Sequence, residues 1–299
     1  MDRPLDLLQR RLQAGPPLLL DGATGTELER RGITTTLPLW SARALLDHPE
    51  AVTGIHAAYV EAGVDLLTAN TFPTQRRSLA RAGLGEQAAA LTRKAVELAR
   101  QAAGDRPVAV LGSAPPLEDC YRPDLVPGDA ELEREHAEHA RNLARAAVDA
   151  VLVETINTLR EARAALAAVA QAGLPALASF VCWDGARLLS GEPLTAALDV
   201  AAAAGALAVG VNCLPPSNVG ACLPPLVASG LPACVYANLG APLDDGNFQR
   251  SEECDPESFA EHALAWVEAG VRVIGGCCGT TPEHLSALAQ RLHERHSSE

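Results

Sequence analysis

Eight short apolar runs, alternating with longer alanine-rich segments of helical period, constrain the fold of this 299-residue chain more than any other feature. The runs are 17–21, 64–69, 107–112, 150–154, 175–181, 206–212, 232–237 and 271–275. Helical stretches lie at 49–62, 86–103, 130–147, 159–172, 195–204, 256–269 and 282–292. Short, almost wholly apolar runs suit strands buried on both faces, and such strands are parallel and need helical crossovers. Eight strand–helix pairs in this length fit a closed α/β (β/α)8 TIM barrel better than an open sheet. Asp255-Pro256-Glu257 and Thr281-Pro282-Glu283 each place a capping side chain before a proline at the first helical position. No linker or compositional break divides the chain, so 1–299 is read as one barrel domain.

The core must be built from Ala, Leu and Val, because 48% of residues are hydrophobic and only 3% aromatic. A net charge of −13 lacks the basic footprint that nucleic acid or an anionic membrane requires. No run approaches the roughly 18 apolar residues of a membrane span. The apolar stretch after Arg10-Arg11 ends at Asp21, too soon for a secretory signal core. A soluble, cytoplasmic protein is expected, and its eight cysteines are then reduced thiols or metal ligands rather than a disulfide framework.

Polar residues gather where strands end: Asp21-Gly22-Ala23-Thr24-Gly25-Thr26, Asn70-Thr71-Phe72, Ser113, Glu154-Thr155, Asn212-Cys213, Asn238 and Cys277-Cys278. In a barrel these ends meet at one mouth, the seat of chemistry in this fold. Adjacent residues on a strand point to opposite faces, so Cys277 and Cys278 can serve one site only where the backbone turns. The glycines of Gly275-Gly276-Cys277-Cys278-Gly279 permit that turn. With Cys213 they form a candidate soft-metal site at the C-terminal ends of the strands, with three ligands and an open fourth position, as in catalytic zinc.

The residues 21–26, Glu154-Thr155, Val211-Asn212-Cys213 and Gly275 to Thr280 resemble the zinc-dependent homocysteine S-methyltransferase family, over about Leu18 to Ala289. The resemblance implies one Zn2+ per chain on Cys213, Cys277 and Cys278, which activates homocysteine as its thiolate for in-line attack on a donor methyl. It also implies that Glu154 meets the homocysteine amino group. Asp21, with the backbone of Gly22, Ala23 and Thr24, would fix the amino-acid end. Asn70, Phe72 and Asn212 are candidate substrate contacts. Asn212 and Asn238 either orient a ligand, support a cysteine sulfur or brace loops.

The substrates implied are homocysteine and a small methyl donor, with no obligatory protein partner. A cationic donor is often held over aromatic faces; Phe72 and Trp183 follow strands, Phe180 and Tyr236 lie near strand ends, and Trp40 lies in the segment after the first strand. Betaine enzymes of the family carry Phe-Tyr where this chain has Phe72-Pro73, which favours S-methylmethionine or S-adenosylmethionine. A chain of this length leaves no room for a cobalamin or folate module. A separate corrinoid protein as donor, and a zinc-storing or redox-sensing barrel, are the alternatives. A Schiff-base aldolase is disfavoured, since Lys94, the single lysine, falls inside a helical stretch. Cys120, Cys182, Cys222, Cys234 and Cys254 are read as buried or incidental thiols, Trp266 as helix packing, and His136 with His139 as a solvated charged face. The segments 114–128 and 244–255 are expected to rim the mouth.

Overall fold

The computed structural model describes residues 4–242, 248–250 and 255–296. Eight parallel strands run in chain order: Leu18–Leu19, Leu66–Ala69, Ala109–Ala114, Ala150–Ile156, Ala176–Phe180, Ala208–Asn212, Ala233–Ala237 and Val271–Gly276. Each pairs with its sequence neighbour from the second to the eighth, and the eighth pairs with the first. A bridge between Leu20 and Leu66 closes the ring, with Asp21 N donating to Leu66 O at 3.0 Å and Asp65 N to Leu19 O at 2.8 Å. The expected barrel forms, and every strand end lies within two residues of its sequence reading.

Side-chain alternation divides the core in two. Leu18, Leu66, Leu111, Leu152, Leu177, Ala208 and Val273 fill the barrel. Leu67, Val110, Val151, Val153, Val209, Val235 and Ile274 point outward against the helices. The helix Pro4–Gln13 plugs the N-terminal end by adding Leu8 and Leu12 to the inner layer, each contributing about 2 kcal/mol of burial. Two acids at this base are paired with arginine. Asp65, just before the second strand, takes Arg11 and the backbone N–H of Leu19. Asp149, just before the fourth, takes Arg100 at 2.6 Å and the N–H of Val110 at 2.7 Å.

Two sequence readings need correction. His136 and His139 are not on a solvated face: both are buried in the helix Asp129–Arg145. They share the inward stripe with Leu132, Ala140 and Leu143. His139 Nε2 meets Ser113 O at 2.9 Å and His136 Nε2 meets Glu161 at 3.2 Å. The acids beside them, Glu135 and Glu138, are engaged by Arg77 and Arg76 from the segment after the second strand. The chain after the sixth strand is also helical, Pro216–Ala228, despite Pro224 and Pro225 inside it. A proline removes an N–H that an early turn does not need, but inside a helix it normally breaks the pattern, which conceals this element in the sequence. As expected, Asp255 caps its helix, accepting from Ser258 N at 2.9 Å. Cys254 and most of the expected rim segment 244–255 lie outside the described residues. No helix among the described residues is long and apolar enough to cross a membrane.

Candidate metal centre

Three thiols converge at the C-terminal mouth. The sulfurs of Cys213, Cys277 and Cys278 lie within 4.8 Å of one another, and no other His, Cys, Asp or Glu group among the described residues meets that condition. Cys213 and Cys277 Sγ are 2.7 Å apart, and all three cysteines are free thiols. Tetrahedral zinc–sulfur bonds of about 2.3 Å would set sulfurs about 3.8 Å apart, which lies between the 2.7 Å of that pair and the 4.8 Å that bounds the cluster. A set of three thiols suits a soft cation and excludes magnesium or calcium chemistry. Contact with Cys213, followed by burial, pushes the Cys277 thiol well above its ordinary range when no cation is at hand.

The backbone explains why these residue types are needed. Gly275 and Gly276 serve close approach rather than an unusual φ. A Cβ on Gly275 would fall 2.8 Å from Asp21 O, and one on Gly276 2.2 Å from Thr280 Oγ1. Gly279 supplies the left-handed turn at φ 87°. The turn is tied by Thr280 N and Oγ1, which donate to Cys277 O at 3.1 and 2.7 Å. Asn238 Oδ1 accepts from Cys278 N at 3.2 Å, so this asparagine braces the turn. Cys213 itself adopts φ 53°, a conformation that costs a non-glycine residue energy and persists only where surroundings impose it. Its carbonyl accepts from the Trp183 indole at 2.9 Å.

Two carboxylates share the mouth. Asp21 and Glu154 are 2% and 8% exposed, and among the described residues neither forms an ion pair. Asp21 accepts from Thr68 N at 2.8 Å, and Glu154 accepts from Ser113 Oγ. Burial raises Asp21 to about 8, with the Glu154 charge adding to it. Burial likewise raises Glu154 to about 7. Below them Tyr236 belongs to the inner layer; its hydroxyl faces Glu154 and Ser179 without completing a hydrogen bond of good geometry.

The remaining sequence candidates divide by what they touch. Asn212 is engaged by a neighbour: its Oδ1 accepts from Thr155 N and Ser179 Oγ, and its Nδ2 donates to Thr155 Oγ1. It thereby holds Thr155 at φ 61°, in the register shift that ends the fourth strand beside Glu154. Asn70 exchanges two hydrogen bonds with Ser41. Thr71 and Ser113 bond to each other. Ala23 N donates to Thr280 Oγ1 at 3.3 Å, and Ala23 O accepts from Tyr59 at 3.0 Å. A Cβ on Gly22 would fall 2.6 Å from Thr280 Oγ1, and Thr24 stands at the start of the helix Gly25–Arg30. Phe72 packs edge-on against Trp40. Phe180 does not reach the mouth, because its place in the fifth strand turns it outward into the helix layer.

Two residues near the site escape a sequence reading. Tyr59 links Ala23 O and Thr280 O, tying the first strand's loop to the eighth; its only signal is the buried stripe Val52, Ile55, His56, Tyr59 of its helix. Tyr121, on the rim segment after the third strand, lies within electrostatic reach of Cys213, Cys277 and Cys278. Of the other described thiols, Cys234 is in the inner layer, Cys182 and Cys222 touch each other in the helix layer, and Cys120 is half-buried next to Tyr121. Trp266 packs on Phe259 as expected.

A family model for homocysteine S-methyltransferase matches residues 18–292. A homocysteine S-methyltransferase of Escherichia coli (strain K12) is 35% identical, over 92% of this chain and 94% of that protein. A selenocysteine Se-methyltransferase of Brassica oleracea var. italica is 30% identical, over 95% of this chain and 91% of that protein. Among solved structures, the metallated form of the homocysteine methyltransferase MmuM from Escherichia coli superposes with a TM-score of 0.83 at 32% identity, covering 97% of this chain and all of that one.

Proposed function

The chain belongs to the homocysteine S-methyltransferase family, and from that premise we propose that it methylates the homocysteine thiol to give methionine, with zinc held by Cys213, Cys277 and Cys278 and a small sulfonium as donor. One observation carries this reading: a three-thiol cluster stands beside two buried carboxylates that have no cation of their own among the described residues. A free thiol ionises near 8.5, so only a few per cent is thiolate at pH 7; the chemistry that bound zinc supplies is deprotonation of an incoming thiol.

The chain's own residues do the rest. Glu154 accepts the substrate ammonium, a charge-assisted contact stronger than a neutral one, and Ser113 fixes the carboxylate's orientation. Asp21 and the backbone of Gly22 to Thr24 hold the amino-acid end. The acceptor sulfur then faces a donor methyl in line with its leaving sulfur; its lone pair forms the new S–C bond while the old bond's electrons leave with the demethylated donor. No side chain has to remove a proton at that step. A sulfonium is favoured over betaine because Phe72-Pro73 replaces the Phe-Tyr of betaine enzymes.

The test is methionine formation by zinc-loaded protein with S-methylmethionine, S-adenosylmethionine, betaine and methyltetrahydrofolate side by side, and with selenocysteine as a competing acceptor. Turnover with a sulfonium, abolished by chelation and restored by zinc, is the expected result. Turnover with betaine alone, or undiminished turnover after the metal is removed, overturns it.

A further inference from the structure

One side of the mouth carries a pair of aromatic rings, one of them exposed. Trp183 follows the fifth strand and is 39% exposed, one of few large apolar side chains so placed among the described residues. A single exposed aromatic residue is ordinary, but this one is fixed at three points. Its indole donates to Cys213 O at 2.9 Å, its carbonyl accepts from Asn218 Nδ2 at 2.7 Å, and its ring lies 5.0 Å from that of Tyr121 at 36°. Tyr121 is fixed from its own side: its N–H donates to Asp119 Oδ1 at 2.9 Å, and the preceding carbonyl, of Cys120, accepts from Asn157 at 2.8 Å. Two rings from different rim segments are thus held together beside Cys213. Exposed Asp119 and Asp184 adjoin the pair in sequence and add negative charge to the rim.

We infer that Tyr121 and Trp183 form the subsite for the cationic head of the methyl donor, an alkyl sulfonium, and hold its methyl group over the thiol cluster. This rests on the function proposed above. A rigid aromatic face attracts a cation through its quadrupole, and the indole's tether to Cys213 keeps the platform in register with the site. The attraction also discriminates along the reaction. Before transfer the donor sulfur is positive; afterwards the thioether that leaves is neutral and loses its hold on the rings. The other aromatic pair at the mouth, Trp40 and Phe72, offers less. It is T-shaped at 69° and 5.4 Å, and the Trp40 ring lies so close to Gly25 that a Cβ there would fall 2.6 Å from it. That pair packs the loop after the first strand.

The test compares a cation with its neutral isostere by calorimetry on zinc-loaded full-length protein. The probes are 2-amino-4-(trimethylammonio)butanoate and 2-amino-5,5-dimethylhexanoate. Wild type should bind the cation about tenfold more tightly than the neutral compound. Tyr121→Leu should erase that preference and Tyr121→Phe, which keeps the face, should retain it. Zinc content and homocysteine affinity should stay within about twofold in both, a check that the site is otherwise intact. A wild type without cation preference, a preference that survives in Tyr121→Leu, or one lost in Phe72→Leu instead would overturn the assignment. Failure of the functional reading is distinguishable: no sulfonium would then yield methionine, while the Tyr121-dependent cation preference would persist.

Discussion

The two ends of the barrel treat their acids in opposite ways. At the base, Asp65 and Asp149 each receive an arginine and a backbone N–H. At the mouth, Asp21 and Glu154 are more deeply buried yet, among the described residues, have no cationic partner and accept from a backbone N–H and a hydroxyl. A buried carboxylate without a cation is costly, so the chain could have been made more stable by pairing these as it pairs those below. On the function proposed above, the mouth is arranged for a cation from outside, and the ammonium of an amino-acid substrate has the right charge. In that reading the base stabilises the fold and the mouth receives the ligand, the usual division of labour in this architecture.

The comparison breaks most visibly at the thiols. Cys277→Ala should lose the bound metal and lower turnover more than about 100-fold, since loss of outer-shell partners alone costs 10–100-fold. Circular dichroism should still report a folded barrel; metal-replete protein with near-normal turnover would remove Cys277 from the ligand set. Next in size, Glu154→Gln should raise the homocysteine KM roughly 10- to 100-fold, as expected for a lost hydrogen bond to a charged group, while metal analysis finds the ion retained. At the base the pattern reverses. Arg11→Ala leaves Asp65 without its cation and should cost about 1–3 kcal/mol in denaturant unfolding, the pair being partly exposed. Its kinetic constants should stay near wild type, and a large KM change there would dissolve the distinction between the two ends.

The smallest effect is a pH dependence. In the unfolded chain both mouth acids ionise near 4, whereas burial holds Asp21 at about 8 and Glu154 at about 7. Between those limits the folded protein binds more protons than the unfolded one. Their contribution to stability is therefore complete below about pH 4 and is lost as pH rises through 7 to 8. Asp21→Asn combined with Glu154→Gln removes this dependence. Without substrate, the variant's Tm should gain on wild type by several degrees from pH 5 to pH 8.5. Parallel curves would mean the acids are not desolvated.

Much of this contrast is legible in sequence, and the parts that are not have a common cause. The eight strands emerge because a strand buried on both faces leaves an uninterrupted apolar run, as at 150–154 and 206–212. The thiol cluster emerges because its geometry needs glycines that only close approach or a left-handed φ explains, at Gly275, Gly276 and Gly279. What stays hidden depends on contacts far apart in the chain. Asn212 props a strained Thr155 that lies 57 residues away, and Trp183 reaches Cys213 across 30. Tyr121 sits in a segment without period, so nothing local aims it at the thiols. The stripe through His136 and His139 was readable at helical spacing, but flanking glutamates masked it; arginines on the segment after the second strand engage them.

The central claim is that the mouth acids are left without a cation so that they can bind the substrate's ammonium. Calorimetry on metal-loaded protein tests it with homocysteine and 4-mercaptobutanoate, which keeps the thiol and carboxylate and lacks the amino group. The predicted result is a preference for homocysteine of at least about tenfold in wild type, lost in Glu154→Gln. Equal binding of the two compounds by wild type would contradict it.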